Sequence, residues 1–249
     1  MDLLVGTHAV EEALRAGRRK IHRLRVRRGT ARAESIGARA AALGVSVVEL
    51  AAEAFDAEVP EGVRGRSQGV LLEAEALPTV SLEELVAARG QGGCCLVALD
   101  GLEDPQNVGS IARVADGAGA LGLLMAHRRA APLSPAVSRA SAGALEHLPV
   151  ARTPNLARAL EFLKAHDFWA LGADSKGGDD LFLSSDRVWE GNLVIVLGSE
   201  GDGLRPGVAA KLDYRVKIPM EGAVESLNVA SAASLLLYEW RRRRGPAPG

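Results

Sequence analysis

Polar residues able to do chemistry gather from Leu99 onward, in segments that each follow an apolar run. The first is Leu99-Asp-Gly-Leu-Glu-Asp-Pro-Gln-Asn-Val-Gly-Ser-Ile-Ala-Arg113, an acidic turn-forming loop that leads to Asn107 and Arg113. The second is Val196-Leu-Gly-Ser-Glu-Gly-Asp-Gly-Leu-Arg-Pro206, where Glu200 stands among Gly198, Gly201 and Gly203. Glycines so close together allow tight turns and a near approach of backbone to a ligand. The third follows the strand-like run 214–218: a Gly- and Glu-containing loop, then Ser226 and Asn228 ahead of Ala230, Ser231, Ala232, Ala233 and Ser234. A strand, a polar loop and a helix start with unpaired N–H groups together form a common ligand site in α/β proteins. Each segment also has a purely structural reading. Asn107 and Ser226 suit N-caps, Arg113 an i,i+3 pair with Asp116, and Glu200 a helix cap or a pair with Arg205. The glycine-rich loop is not the dinucleotide fingerprint, because its spacing differs and Pro206 falls where that fingerprint's helix runs.

Other chemistries find no support. His127 and His147 are lone histidines without Cys or Asp at ligand spacing, so no metal is expected. Cys94 and Cys95 are sequence neighbours, which point to opposite faces of a strand and rarely pair. No GxSxG elbow or Cys–His pairing suggests a hydrolase nucleophile. Net charge is −1, yet the stretch 15–39 holds Arg15, Arg18, Arg19, Lys20, Arg23, Arg25, Arg27, Arg28, Arg32 and Arg39 against Glu34. Such a face binds phosphates or is merely solvated. Without an apolar leader core or a run able to cross a bilayer, a cytoplasmic setting is expected.

The elements that must position these residues follow from hydrophobic period. Residues 1–75 read as a small α/β unit, with helices over 8–16 and 31–43, strands over 21–26, 45–50 and 69–72, and Arg64 and Arg66 in the loop 63–69. Residues 76–93 read as a linker with a short helix whose Ser81 and Glu84 form a capping box. From Cys94 to the end, strands over 95–99, 121–125, 168–172, 193–197 and 214–218 alternate with helices over 107–117, 134–142, 156–165 and 226–243. Near-continuous apolar strands separated by helices imply a parallel sheet covered on both faces. On fold alone a nucleotide-dependent dehydrogenase is the alternative, and the absent fingerprint counts against it.

Taken together, the three segments resemble the motifs of the SpoU (TrmH-like) branch of the SPOUT RNA methyltransferases, in the right order and spacing across 95–240. Gly6-Thr-His-Ala-Val10 and Ser67-Gln-Gly-Val70 are similar to the substrate-binding domain of bacterial 23S rRNA ribose 2′-O-methyltransferases. The resemblance implies an α/β fold: a parallel-sheet SPOUT domain (94–249) with a C-terminal deep trefoil knot, and a small L30e-like RNA-binding domain (1–75). It implies transfer of a methyl group from S-adenosylmethionine to a ribose 2′-hydroxyl, in a homodimer packed through the knotted domains. Arg113 would stand at the 2′-hydroxyl. A guanidinium almost never gives up its proton, so anchoring and orientation are its expected roles. Asn107 would help fix Arg113 and the RNA backbone, Glu200 would organise the pocket, and Ser226 and Asn228 would hold the cofactor end and the ribose. Gly172, Gly198, Glu200, Gly201, Ile218, Met220, Ser226 and Leu227 would bind the cofactor. Arg18, Arg19, Lys20, Arg25, Arg27, Arg64, Arg66 and Arg139 would take RNA phosphates. The expected substrate is a guanosine of 23S rRNA. The alternatives are a tRNA, an antibiotic-resistance site in rRNA, or a non-catalytic RNA-binding assembly factor.

Overall fold

The computed structural model describes residues 1–90, 92–174, 177–199 and 201–244. In chain order the elements are β1 (Asp2–Val5), α1 (Thr7–Ala16), β2 (Ile21–Arg27), α2 (Ala31–Ala42), β3 (Val47–Leu50), α3 (Ala52–Glu58), β4 (Val70–Ala74) and α4 (Leu82–Ala87). There follow β5 (Cys95–Asp100), α5 (Pro105–Ala118), β6 (Gly122–Ala126), α6 (Pro135–Ala140), β7 (Val150–Thr153), α7 (Leu156–Lys164) and β8 (Phe168–Ala173). The chain ends with β9 (Asp179–Asp180), β10 (Asn192–Gly198), α8 (Pro206–Ala209), β11 (Tyr214–Lys217) and α9 (Val229–Arg244). They divide into two compact units: Met1–Pro78 with Pro132–His147, and Thr79–Ala131 with Leu148–Gly249.

The first unit is built on a four-stranded sheet of order β1-β4-β2-β3, with β2 and β3 parallel and the other pairs antiparallel. Alternation along its strands sends Leu4, Leu24, Val26 and Leu72 to one face, against Val10, Leu14 and Ile36 of α1 and α2. Val5 and Leu71 go to the other face, against Phe55 and Val59. The two N-terminal motifs meet here, since the Thr7 backbone N–H and hydroxyl both donate to Gln68 Oε1 at 2.9 Å. Two elements went unexpected. β1 is only a short apolar run, and α3 buries a single side chain, Phe55, too little to give a period. The segment Pro132–His147 belongs to this unit through a buried cluster. Arg19 donates to Glu146 at 2.7 and 3.0 Å, to Asp2 at 2.7 Å and to Ser138 Oγ at 3.1 Å. Gly143 lies so close to Glu12 that a Cβ there would meet Glu12 Cβ at 2.6 Å.

The second unit holds a seven-stranded sheet of order β7-β6-β5-β10-β8-β11-β9 in which every pairing is parallel. The parallel sheet inferred from the apolar strands is therefore present, and β5 and β6 are buried along their whole length. From β5 the chain builds outward to β6 and β7, then returns to the far side of β10. That reversal of order sets the C-terminal ends of β5 and β10 side by side, with Leu99 opposite Leu197 and Asp100 opposite Gly198. In open parallel sheets, ligands sit at such a switch point.

The helix starts differ from expectation. α5 begins at Pro105, not Asn107, and its cap is Asp104, whose carboxylate accepts from Gln106 N at 3.0 Å. Proline at the first helical position has its φ already set and no N–H to satisfy. α9 begins at Val229, so Asn228 takes the cap expected of Ser226, accepting from Ala230 N at 2.8 Å. The capping box of Ser81 and Glu84 is present, and its bonds to Ser81 hold the Glu84 carboxyl below the usual range. β7, β9 and α8 are too short to leave a periodic signal.

Candidate active site

The site is assembled from the loops that leave β5, β10 and β11. Asp100 ends β5 with its side chain fully buried. A buried carboxylate needs partners, and Arg205 supplies them: its backbone N–H donates at 2.8 Å and its Nε at 2.6 Å. This pair fastens the loop after β10 to the loop after β5. The same β10 loop closes on itself, with Ser199 N to Gly203 O at 3.1 Å and Gly203 N to Ser199 O at 3.0 Å. Gly198 is dictated by that closure, since a Cβ there would lie 2.3 Å from the Gly203 carbonyl carbon. At Gly172 a Cβ would lie 2.3 Å from Leu212 Cδ1.

A second tie joins the starts of α5 and α9. Asn228 Nδ2 donates to Asn107 Oδ1 at 3.0 Å while its Oδ1 caps α9. Asn107 can face Asn228 because Asp104 has taken over the capping of α5. Arg113 lies six residues further along α5, about 9 Å along its axis. It is exposed and forms no hydrogen bond or ion pair with another described residue, so the pair with Asp116 is not made. Ile218 and Met220 are half-buried, Gly201 and Ser226 are exposed, and Leu227 and Val224 are 37% and 64% exposed on the stretch leading to α9. Glu200 lies outside the described residues. The structure thus brings together Asn107 with Asn228, and Gly198 with its loop. It adds Asp100, and it gives Arg205 that carboxylate as a partner, a pairing that spacing does not suggest. The available signal was a charged residue closing an otherwise apolar buried strand.

The arginines assigned to RNA separate into classes. Arg19 is buried, and its bonds to Glu146, Asp2, Ser138 and the Glu75 carbonyl leave no face for a phosphate. Burial opposes its charge, but the Glu146 and Asp2 carboxylates outweigh this and raise its pKa. Arg19 is a strut of the first unit, which corrects its assignment to RNA. Arg18 donates to the Glu146 carbonyl at 3.2 Å, and burial lowers its pKa. Lys20 meets Glu75, Arg25 meets Glu58 and Glu73, and Arg27 meets Asp56. Arg15, Arg28, Arg32 and Arg39 are likewise paired, with Glu12, Glu49 and Glu11. The one-signed stretch is therefore largely neutralised by carboxylates, most of them from other elements. Arg23, Arg64 and Arg66 are exposed without an ion pair among the described residues, and Arg139 is half-buried on α6.

Among the described residues no group of His, Cys, Asp and Glu could hold a metal, and no helix is long and apolar enough to cross a membrane. Cys94 and Cys95 are buried free thiols, and burial pushes Cys94 up to about 11. A cavity of about 270 Å³ lined by Lys164, Asp167, Phe168, Trp169 and Asp213 opens where β8 begins, at the opposite ends of the strands from the loops above.

Residues 95–238 match the SpoU rRNA Methylase family, and residues 3–80 match a family described as RNA 2′-O ribose methyltransferase substrate binding. YacO of Bacillus subtilis (strain 168), named as a TrmH family tRNA/rRNA methyltransferase, is 38% identical over 251 residues, covering 98% of this chain and 97% of YacO. The SpoU methyltransferase AviRb from Streptomyces viridochromogenes, solved in complex with AdoMet, superposes with a TM-score of 0.81 at 27% identity, covering 97% of this chain and 89% of that one. An AdoMet-bound rRNA methyltransferase from Sinorhizobium meliloti gives 0.77 at 27% identity, over 97% and 87% of the two chains.

Proposed function

This chain belongs to the SpoU rRNA methylase family and is an S-adenosylmethionine-dependent RNA ribose 2′-O-methyltransferase, and from that premise we propose that its substrate is a guanosine of 23S rRNA. The observation that carries the choice of rRNA is the pairing of both units in one chain. The likeness to a solved rRNA methyltransferase runs through 97% of the sequence, the N-terminal unit included.

S-adenosylmethionine, when bound, supplies a methyl group on a sulfonium. The loop at Gly198 and Gly201, the loop after Gly172, Ile218 and Met220, and Ser226 and Leu227 would hold it. The fit is supported by the close backbone turn that Gly198 permits and by uncovered apolar side chains at Val224 and Leu227. The 2′-hydroxyl must lose its proton as it attacks, and alignment supplies much of the rate. A guanidinium keeps its proton, so Arg113 anchors the phosphate beside the reacting ribose by paired N–H bonds. Asn107 and Asn228 fix the helix starts around it, and Glu200 is proposed to orient Arg113. The family's trefoil knot and its homodimer belong to the same proposal, as does work in the cytoplasm. The insertion of β10 between β5 and β8, with α9 packed against α5, supports the knot.

Labelled S-adenosylmethionine offered with unmodified 23S rRNA, and with bulk tRNA in parallel, tests the substrate. We expect label at one guanosine ribose of 23S rRNA; label in tRNA alone overturns this choice. In the same assay Arg113→Ala is expected to lose about 100-fold or more in methyl transfer with cofactor affinity unchanged. Wild-type turnover in that variant overturns the role given to Arg113.

A further inference from the structure

We propose that the turn His127-Arg128-Arg129, at the end of β6, is a phosphate-binding site through which the second unit grips RNA beside the reacting ribose. The proposal rests on the reading of the substrate as RNA. β6 is apolar and buried through Ala126, and the next three residues are all exposed. Arg129 has φ 54°, a left-handed conformation that residues other than glycine rarely adopt. Strain of this kind persists where the surroundings hold it, and here they do. His127 N donates to Thr153 O at 2.8 Å on one side, and Ala131 N to Leu102 O at 2.9 Å on the other. Leu102 lies in the loop from Asp100 to the cap of α5. The turn is therefore bonded to the loop that carries Asn107, one strand spacing, about 5 Å, from the end of β5.

Among the described residues nothing neutralises the charge. None of His127, Arg128 and Arg129 forms an ion pair with a described residue, although Glu103 and Asp104 stand in the adjoining loop. The arginines of the 15–39 stretch behave differently, for most of them meet a carboxylate. Arg152 on β7 adds a further cation behind the turn. It donates to the Ala126 carbonyl at 3.4 Å, and its Nε is buried without a partner. Unpaired guanidinium groups on a braced turn suit phosphate oxygens, whose contact fixes register rather than sequence.

The test uses the full-length protein and an unmodified 23S rRNA transcript, with affinity measured from 50 to 200 mM salt. The variant Arg128→Gln/Arg129→Asn removes both charges, and asparagine accepts the left-handed conformation. We expect Kd to weaken about 10-fold or more and the slope of log affinity against log salt to fall by about 1–2. Affinity for S-adenosylmethionine stays unchanged, and Arg128→Lys/Arg129→Lys restores most of the slope. Arg187→Gln, on the turn before β10 and so at the opposite ends of the strands, keeps the wild-type slope. Unchanged affinity and slope in the double variant, or an equal loss in Arg187→Gln, overturns the site. Methyl transfer is scored separately. Slopes that change as expected without wild-type transfer overturn the rRNA-substrate reading alone, and a wild type that does not bind the transcript overturns both.

Discussion

Asp100 shows what a single residue contributes to a site it does not enter. Its carboxylate is buried at the end of β5, and Arg205 answers it from the loop after β10. Breaking a buried pair from one side leaves an uncompensated charge, which costs about 3–5 kcal/mol. Arg205 is 41% exposed and its backbone N–H remains as a donor after substitution, so the lower end applies. Arg205→Ala is expected to lose about 3 kcal/mol in urea unfolding and to weaken cofactor binding by loosening the loop. A loss below about 1 kcal/mol would mean that the loop does not depend on the pair. The residue types at the site were legible in the sequence; their partners were not. Glu200 stands five positions from Arg205 and invites pairing on paper, whereas the partner that Arg205 finds is 105 residues away. Spacing carries no information about such a contact.

Elements were legible in proportion to their length. The buried strands of the second unit and the longer helices announce themselves by period, while β7, β9, α3 and α8 bury too few side chains to do so. Helix starts were misread because capping is decided by one or two side chains. A proline after Asp104 moved the start of α5, and in consequence Asn107 is available to Asn228. At the other end of α9, Glu239 accepts from Arg242 at 2.8 Å and from Arg243 at 2.7 Å. The Arg242 bonds, against the opposing effect of burial and with help from Arg243, hold its carboxyl down at about 2. A carboxyl depressed in the fold stabilises fully above its ordinary pKa, about 4.3. That stability is lost as pH falls through the folded value. Wild type is therefore expected to exceed Glu239→Gln in Tm at pH 6, with the gap closing from about pH 4.5 toward 2. A gap independent of pH would assign the effect to packing instead.

At the scale of the whole chain, alternation predicted a parallel sheet, and the sheet is there. Its strand order lay beyond the reach of pattern, because order is set by which faces pack. The basic stretch near the N-terminus misled for a related reason: its neutralising carboxylates come mostly from other elements, among them Asp2 of β1, Glu49 of β3, Glu58 of α3, Glu73 of β4 and the distant Glu146. Two variants separate the classes of arginine. Arg19→Met leaves Glu146 buried without its main partner and is expected to cost about 3–5 kcal/mol in unfolding. Arg64→Gln/Arg66→Gln is expected to leave stability within about 0.5 kcal/mol and to lower the salt slope of RNA binding by about 1–2. The reverse pattern would return Arg19 to the RNA surface.

The path of the chain through its two units has a consequence for inheritance. Residues 132–147 interrupt the sequence of the second unit yet fold with the first, where Glu146 meets Arg19 across 127 positions. A recombination event that exchanged residues 1–78 alone for those of a relative would deliver an Arg19 without its own carboxylate, or a Glu146 without its own guanidinium. The substrate-binding unit is thus not a cassette with one junction. An exchange with a relative is expected to keep its stability only when both stretches, 1–78 and 132–147, are exchanged together.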